Sequence, residues 1–171
     1  MMEKPLYFAY GSNINLDQMR YRCPDATVYG QAVLDNYDLR FRGSGVATVE
    51  PKEGACVYGL LWELTDKCEA SLDRYEGCPS YYYKRELPVE VFPIGGGEPV
   101  PLTAMVYVMA DGHELREPSP GYYKVLADGY RDFHFPMHIL EQALADSIGR
   151  EEAIRRLGIC SLTIPARKEK N

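Results

Sequence analysis

The stretch LYFAYGSNINLDQMR, residues 6–20, sets how the fold begins. The apolar residues 5–10 predict a buried strand that stops at Gly11-Ser12-Asn13. Asn15 and Gln18 then have the spacing of a helix capping box, and the short helix should end near residue 23. A helix start leaves backbone N–H groups unpaired, so this turn suits an anion such as a carboxylate. An ordinary strand-to-helix turn is the competing interpretation.

The remaining pattern predicts an α+β fold. Strands dominate the first two thirds of the chain and helices the last third, which is typical of a small, mostly antiparallel β-barrel flanked by helices. We expect one domain over residues 1–164 and a charged C-terminal tail over residues 165–171. Strands are predicted over 28–42, 55–64, 81–92 and 103–110, and helices over 65–75, from 119, over 136–148 and over 151–157.

Composition excludes several classes of protein. The 171 residues and 46% hydrophobic content suit one soluble domain, and a net charge of −6 argues against a nucleic-acid partner. No apolar run reaches the roughly 18 residues of a membrane span. Five cysteines without a CxxC pair predict free thiols in a reducing cytoplasm. The 14 tyrosines suit half-buried walls, either of a pocket or of a homodimer interface.

Glu76 stands in an unfavourable place for an acid. It ends the helix predicted over residues 65–75, just before Gly77, where the helix dipole is negative. It also falls beside the apolar stripe of Cys68, Leu72 and Tyr75, which predicts partial burial. Burial and the dipole both raise a carboxyl pKa, as a general acid/base near neutral pH requires. The competing interpretation is an acid that frays into solvent.

Taken together, several motifs resemble one known family. YFAYGSN at the N-terminus is followed in order by GVATVEP (45–51), VYGLLWEL (57–64), LDRYEG (72–77) and PSPGY (118–122). Over roughly residues 5–145 this order is similar to that of the gamma-glutamylcyclotransferase family. The resemblance implies a small barrel with packed helices, no cofactor or metal, and a γ-glutamyl substrate.

The resemblance also implies roles for individual residues. Glu76 would be the acid/base that helps a γ-glutamyl amide cyclise, releasing 5-oxoproline and a free amine. Substrate-binding residues would be Tyr10, Gly11, Ser12, Asn13, Ile14, Tyr83 and Tyr122. A slip within Tyr81-Tyr82-Tyr83 would move the tyrosine role to a neighbour. The stretch between Leu39 and Gly45 is short for this family, which leaves the identity of the leaving amine open.

Three other functions are alternatives to the cyclotransferase. A metal hydrolase lacks an HExxH motif, and Pro136 separates His134 from His138. A serine or cysteine hydrolase lacks a GxSxG elbow around Ser12 and a histidine partner for Cys78. The third alternative is a non-catalytic ligand-binding or interaction protein on the same fold, because fold alone does not decide function.

Overall fold

The computed structural model describes residues 3–157 and contains a closed five-stranded barrel. The strands follow the order β1-β3-β2-β4-β5 around the barrel. All neighbours pair antiparallel except β1 and β5, which close the barrel in parallel at Tyr7 and Met105. The predicted mostly antiparallel barrel is therefore confirmed. The strands are β1 (Leu6–Ala9), β2 (Thr27–Arg42), β3 (Val46–Glu63), β4 (Tyr82–Phe92) and β5 (Val100–Met109).

Five α-helices flank the barrel, and local caps explain where three of them begin. The side chains of Asn15, Thr65 and Ser119 accept hydrogen bonds from backbone N–H groups three residues later. A one-turn 3₁₀ helix, Ser12–Ile14, precedes the first of them. The helices are α1 (Leu16–Arg22), α2 (Asp66–Glu76), α3 (Pro120–Asp132), α4 (Met137–Ile148) and α5 (Arg150–Leu157).

The long β2–β3 hairpin differs from its prediction. β3 begins at Val46, whereas the sequence pattern predicted a strand from residue 55. The ladder steps from Asp35↔Cys56 to Tyr37↔Pro51, so residues 52–55 stand outside the pairing. Those residues read Lys-Glu-Gly-Ala, which has the polar character of a loop and hid the continuation of the strand. The hairpin turn at residues 43–45 lies where a loop was predicted.

Close packing ties α3 to the turn after β1. A Cβ atom built on Gly129 of α3 would lie 2.6 Å from Cδ1 of Ile14, so any larger residue at position 129 would require the Ile14 side chain to shift. Ile14 itself is fully buried in the core. Helix α3 therefore packs directly against the 3₁₀ turn through the buried Ile14 side chain.

Replacing Tyr130 by phenylalanine should leave the free energy of unfolding unchanged or raise it by about 1 kcal/mol. The Tyr130 side chain is fully buried, and its hydroxyl has no hydrogen-bond partner among residues 3–157. Removing an unpaired buried hydroxyl removes a desolvation cost while the ring packing stays. Urea unfolding measures this change. A loss of more than about 1 kcal/mol would show that the hydroxyl has a partner, such as a bound water.

Some predictions concern residues that the structure does not describe. The charged tail at 165–171 and Cys160 lie outside residues 3–157, and the domain boundary at 164 stays a prediction. Cys23, Cys56, Cys68 and Cys78 are free thiols. Across the described helices, none is both long and apolar enough to span a membrane.

Candidate active site

One cavity of about 240 Å³ collects residues from β1, the 3₁₀ turn, the β2–β3 hairpin, α2, β4, β5 and α3. Seven tyrosines line it, half of the 14 in the sequence. Glu76 is its only charged lining residue within the described part of the chain. The lining residues are Tyr7, Tyr10, Gly11, Ser12, Asn13, Ser44, Val46, Ala47, Tyr75, Glu76, Tyr81, Tyr82, Tyr107 and Tyr122.

The 3₁₀ turn presents backbone donors at this cavity. The Ile14 N–H donates to the Gly11 carbonyl at 3.1 Å, and the Asn15 N–H donates to the Ser12 carbonyl at 3.0 Å. In the described chain, the N–H groups of Gly11, Ser12 and Asn13 have no intramolecular acceptor. Unpaired N–H groups at a turn can donate to an anion, and anion binding at this turn stays a prediction.

The side chains of this turn are held by neighbours. Asn13 is buried, and its amide nitrogen donates to the Tyr7 hydroxyl at 3.0 Å. The Arg22 guanidinium donates to the Asn13 side-chain oxygen and, at 3.1 Å, to the Ser12 hydroxyl. The Trp62 indole donates to the Asn13 carbonyl at 3.1 Å. Asn13 therefore fixes the shape of the turn, and its backbone rather than its side chain is available to a ligand.

Glu76 lies at the end of α2, half-buried against the cavity. Gly77 adopts the left-handed conformation, with φ of 62°, and ends the helix directly after it. Burial raises the pKa of Glu76 from 4.5 to about 7, and the positive charge of Arg22 opposes that rise. A carboxyl that is part protonated at neutral pH can accept and return a proton.

Hydrogen bonds fix the tyrosine walls. The Tyr82 hydroxyl donates to the Ala47 carbonyl at 2.6 Å, and the Tyr122 hydroxyl accepts from the Ala47 N–H at 3.1 Å. On the other side, the Tyr10 hydroxyl donates to the backbone carbonyl of Tyr107. Burial raises the pKa values of Tyr10, Tyr82 and Tyr122, and the Glu76 charge adds to each rise. These phenols stay neutral near pH 7 and form a rigid, uncharged enclosure.

The structure places two of the predicted substrate-binding residues away from this cavity. Ile14 does not line this cavity among the described residues, because its side chain turns into the core against Gly129. Tyr83 borders a different cavity of about 450 Å³, while Tyr81 and Tyr82 line the site. Side chains alternate along a strand, so Tyr82 and Tyr83 of β4 must face opposite sides. A pattern of three tyrosines could not decide which one faces inward.

The Tyr82 and Tyr83 variants provide a direct check of this placement. Tyr82→Phe should lower the free energy of unfolding by about 1 kcal/mol, because it leaves the Ala47 carbonyl without its side-chain donor. It should also weaken binding of a ligand in the cavity. Tyr83→Phe is the matched control and should bind like the wild-type chain. Isothermal titration with 5-oxoproline compares the two, and a larger effect from Tyr83→Phe would contradict the placement.

Arg22, Tyr7 and Tyr107 belong to this site or its immediate surroundings but were not predicted from the sequence. Arg22 occupies the last turn of α1, where a basic residue is ordinary because it complements the helix dipole. Tyr107 lies within the apolar run of β5, and its hydroxyl donates to Asp73 at 2.6 Å. No local signal distinguishes these three from structural residues. Tyr75, predicted on the apolar stripe of α2, is 51% exposed at the cavity mouth.

Within residues 3–157, no group of three or more histidine, cysteine, aspartate or glutamate residues is placed to hold a metal ion. The His113 ring packs against the Tyr81 ring, with the centroids 4.8 Å apart and the ring planes tilted by 60°. It does not line the cavity in the described chain. The site chemistry that this arrangement offers is proton transfer by Glu76 and anion binding by backbone N–H groups.

Known proteins show similarity over most of the chain. A family model described as "Gamma-glutamyl cyclotransferase, AIG2-like" matches residues 7–130. The gamma-glutamylcyclotransferase of Bos taurus is 32% identical over 145 residues, covering 79% of this chain and 74% of the bovine one. That of Homo sapiens is 31% identical over 153 residues, covering 84% and 79%. A solved structure named "Gamma-glutamyl cyclotransferase" has a TM-score of 0.73 at 29% identity, covering 90% and 97% of the two chains.

Proposed function

The chain belongs to the gamma-glutamyl cyclotransferase, AIG2-like family and is an enzyme of that type; from this premise we propose that it converts a γ-glutamyl amide into 5-oxoproline and a free amine. The observation that carries the proposal is the shared cavity. Glu76, with its raised pKa, and the unpaired N–H groups of residues 11–13 lie at the same small enclosure. Its volume suits a ligand of amino-acid size.

In the proposed reaction, the α-amine of the γ-glutamyl group attacks its own γ-carbonyl carbon. A five-membered lactam forms, the bond to the attached amine breaks, and that amine leaves. The nucleophile is tethered to its target, and well-oriented intramolecular attack reaches effective molarities of ~10⁵–10⁸ M. The enclosure need only hold the γ-glutamyl group bent so that its α-amine lies next to its γ-carbonyl, and exclude water. The rigid tyrosine walls support that role.

Glu76 is proposed to move the protons. The α-ammonium, with an ordinary pKa of roughly 7.7–8.0, must lose a proton before it can attack. The same nitrogen loses a second proton as the lactam N–H forms, and the leaving nitrogen takes up one proton to depart as an amine and another to become an ammonium in water. A carboxylate with a pKa of about 7 can take the first proton and deliver it to the second nitrogen. Glu76 therefore ends the cycle in the state in which it began.

Either of two roles would suit the backbone N–H donors of residues 11–13. They bind the α-carboxylate of the substrate, which orients the amine, or they stabilise the oxyanion that develops on the γ-carbonyl. An analogue in which the α-carboxylate is replaced by an amide separates these roles. Loss of binding indicates the first role, whereas intact binding with slow turnover indicates the second.

The cellular setting follows from the same premise. We propose a cytoplasmic enzyme with a small-molecule substrate, in keeping with the four free thiols of the described chain. The proposal includes no cofactor, since the reaction exchanges only protons and one acyl bond. A homodimer stays a prediction from the tyrosine content, and sedimentation measures it.

The proposed function is tested by incubating the protein with a panel of γ-glutamyl compounds. The panel contains γ-glutamyl amino acids, ε-(γ-glutamyl)lysine and a γ-glutamylated polyamine, and 5-oxoproline is quantified by mass spectrometry. We expect 5-oxoproline and the free amine in equal amounts from at least one class. Release of glutamate in place of 5-oxoproline would indicate a hydrolase. A melting-temperature shift without product would indicate a binding protein.

A further inference from the structure

Arg22 links the two halves of the site. Its guanidinium donates to Ser12 and Asn13 on the backbone-donor side of the cavity. The same guanidinium stacks on the Tyr75 ring, with its carbon 3.8 Å from the ring centroid. Tyr75 is the residue next to Glu76 on α2. One planar cation thus contacts both the turn that would bind the anion and the helix end that carries the proposed acid/base.

The backbone around Arg22 strengthens this link. The Ser71 hydroxyl of α2 donates to the Arg22 carbonyl at 2.9 Å. The Cys23 thiol contacts the Cys68 carbonyl of α2 at 3.5 Å. The end of α1 is therefore anchored on α2 at two points, so the guanidinium is delivered to a defined place. A lysine offers neither the fork that meets two acceptors nor the flat face that stacks on a ring.

Besides its hydrogen bonds and its stacking on Tyr75, Arg22 places a positive charge near the Glu76 carboxyl. Six phenol or thiol groups and one guanidinium surround this carboxyl closely enough to interact with its charge. The phenols and the thiol have raised pKa values, so they are neutral near pH 7. Arg22 supplies the one charge in this set, and behind Tyr107 the Asp73 carboxylate is paired with Lys84. The set is Tyr7, Tyr10, Arg22, Cys78, Tyr82, Tyr107 and Tyr122.

We propose that Arg22 is a positioning residue of this site: its guanidinium holds the 11–13 turn and the Tyr75–Glu76 helix end in register and sets the charge that Glu76 experiences. This inference rests on the proposed function, because it assigns Arg22 to the same reaction. Arg22 does not line the cavity among the described residues, so it acts through the groups it contacts. It offers its cation to Ser12, Asn13 and Tyr75 instead of to the substrate.

The test uses Arg22→Gln and Arg22→Lys, with Arg20→Gln as the matched control. Arg20 belongs to the same helix, but its side chain is 76% exposed and pairs with Asp17. The Glu76 midpoint is followed by carbon NMR of labelled carboxyl groups, with Glu76→Gln providing the assignment. Turnover of the best panel substrate is measured across the same pH range.

Arg22→Gln should raise the Glu76 midpoint by about 0.5–1 pH unit, because an opposing positive charge is removed. It should also raise KM at least about tenfold, since the 11–13 turn loses its tie to α2. Arg22→Lys keeps the charge, so its midpoint should stay near the wild-type value while KM rises. Arg20→Gln should change neither quantity.

Equal midpoints in Arg22→Gln and Arg20→Gln would overturn the electrostatic part of the proposal, and an unchanged KM in both Arg22 variants would overturn the positioning part. A lower melting temperature with neither change would show that Arg22 only stabilises the fold. The NMR midpoint requires no turnover, so it reports on Arg22 even if the panel yields no 5-oxoproline. Absence of product with a shifted midpoint would contradict the cyclotransferase and leave the role of Arg22 in setting Glu76 intact.

Discussion

Glu76→Gln should reduce 5-oxoproline release by about 10²–10⁴-fold, the usual contribution of one positioned acid/base. The amide has nearly the shape of the carboxyl but cannot take up and return a proton. Binding of 5-oxoproline should persist, because the backbone donors of residues 11–13 and the tyrosine walls are unchanged. The measurement is single-turnover release of product, together with a thermal shift caused by 5-oxoproline.

The control for this variant is Glu69→Gln. Glu69 lies on the same helix, but it forms a surface ion pair with Lys84 at 2.9 Å and does not line the cavity in the described chain. It should keep wild-type turnover. If Glu76→Gln turned over at a rate within about threefold of wild type, another group would have to carry the proton and the proposed mechanism would fail.

The pH dependence of turnover has a defined sign. Glu76 must begin as a carboxylate in order to deprotonate the substrate amine, so kcat/KM should fall as pH decreases below about 7. The same group makes stability depend on pH. The ordinary pKa of this carboxyl is 4.5, and in the folded chain it is about 7. Between these two pH values Glu76 is ionised in the unfolded chain and protonated in the folded one, so the native state loses stability as pH rises. Glu76→Gln should therefore be more stable than wild type at pH 8, by about 1–3 kcal/mol, and similar near pH 4.

Gly59→Ala should produce the largest loss of stability. A Cβ on Gly59 would lie 2.2 Å from the Ala9 carbonyl oxygen and 2.8 Å from the Phe8 ring. A backbone oxygen cannot yield as a flexible side-chain tip can, so β1 must move away from β3. Overpacking of this kind costs about 3 kcal/mol or more, and for a chain of this size the melting temperature should drop by roughly 6–12 °C.

The same displacement should affect the site, because Ala9 is followed by Tyr10 and the 11–13 turn. We expect weaker binding of 5-oxoproline even in the folded fraction. Gly121→Ala provides the control: its Cβ would meet nothing within 4 Å, and it lies in the first turn of α3. That change should be neutral or slightly stabilising, because alanine favours a helix more than glycine does. A Gly59→Ala protein as stable as wild type would mean that the barrel is looser than the structure shows.

Much of the fold could be predicted because its signals are local. The caps at Asn15, Thr65 and Ser119 and the stop at Gly77 depend on residues within a few positions of one another. Periodicity and capping signals located the five α-helices of the described chain and most of β1, β2, β4 and β5. The first half of β3 escaped because residues 52–55 interrupt the pattern, although the ladder resumes on the other side of them.

The sequence by itself determined that a strand ends in a glycine turn with unpaired N–H groups, and that an acid closes α2. Only the tertiary structure decided that these features meet. Barrel closure brings β1 beside β5, nearly a hundred residues away, and the packing of α1 on α2 brings Arg22 onto Tyr75. No short-range pattern encodes either contact. The tertiary structure also decided that Tyr82 rather than Tyr83 faces the cavity, and how deeply Glu76 is buried. The pKa of Glu76 follows from that burial, since desolvation depends on every atom that surrounds a charge.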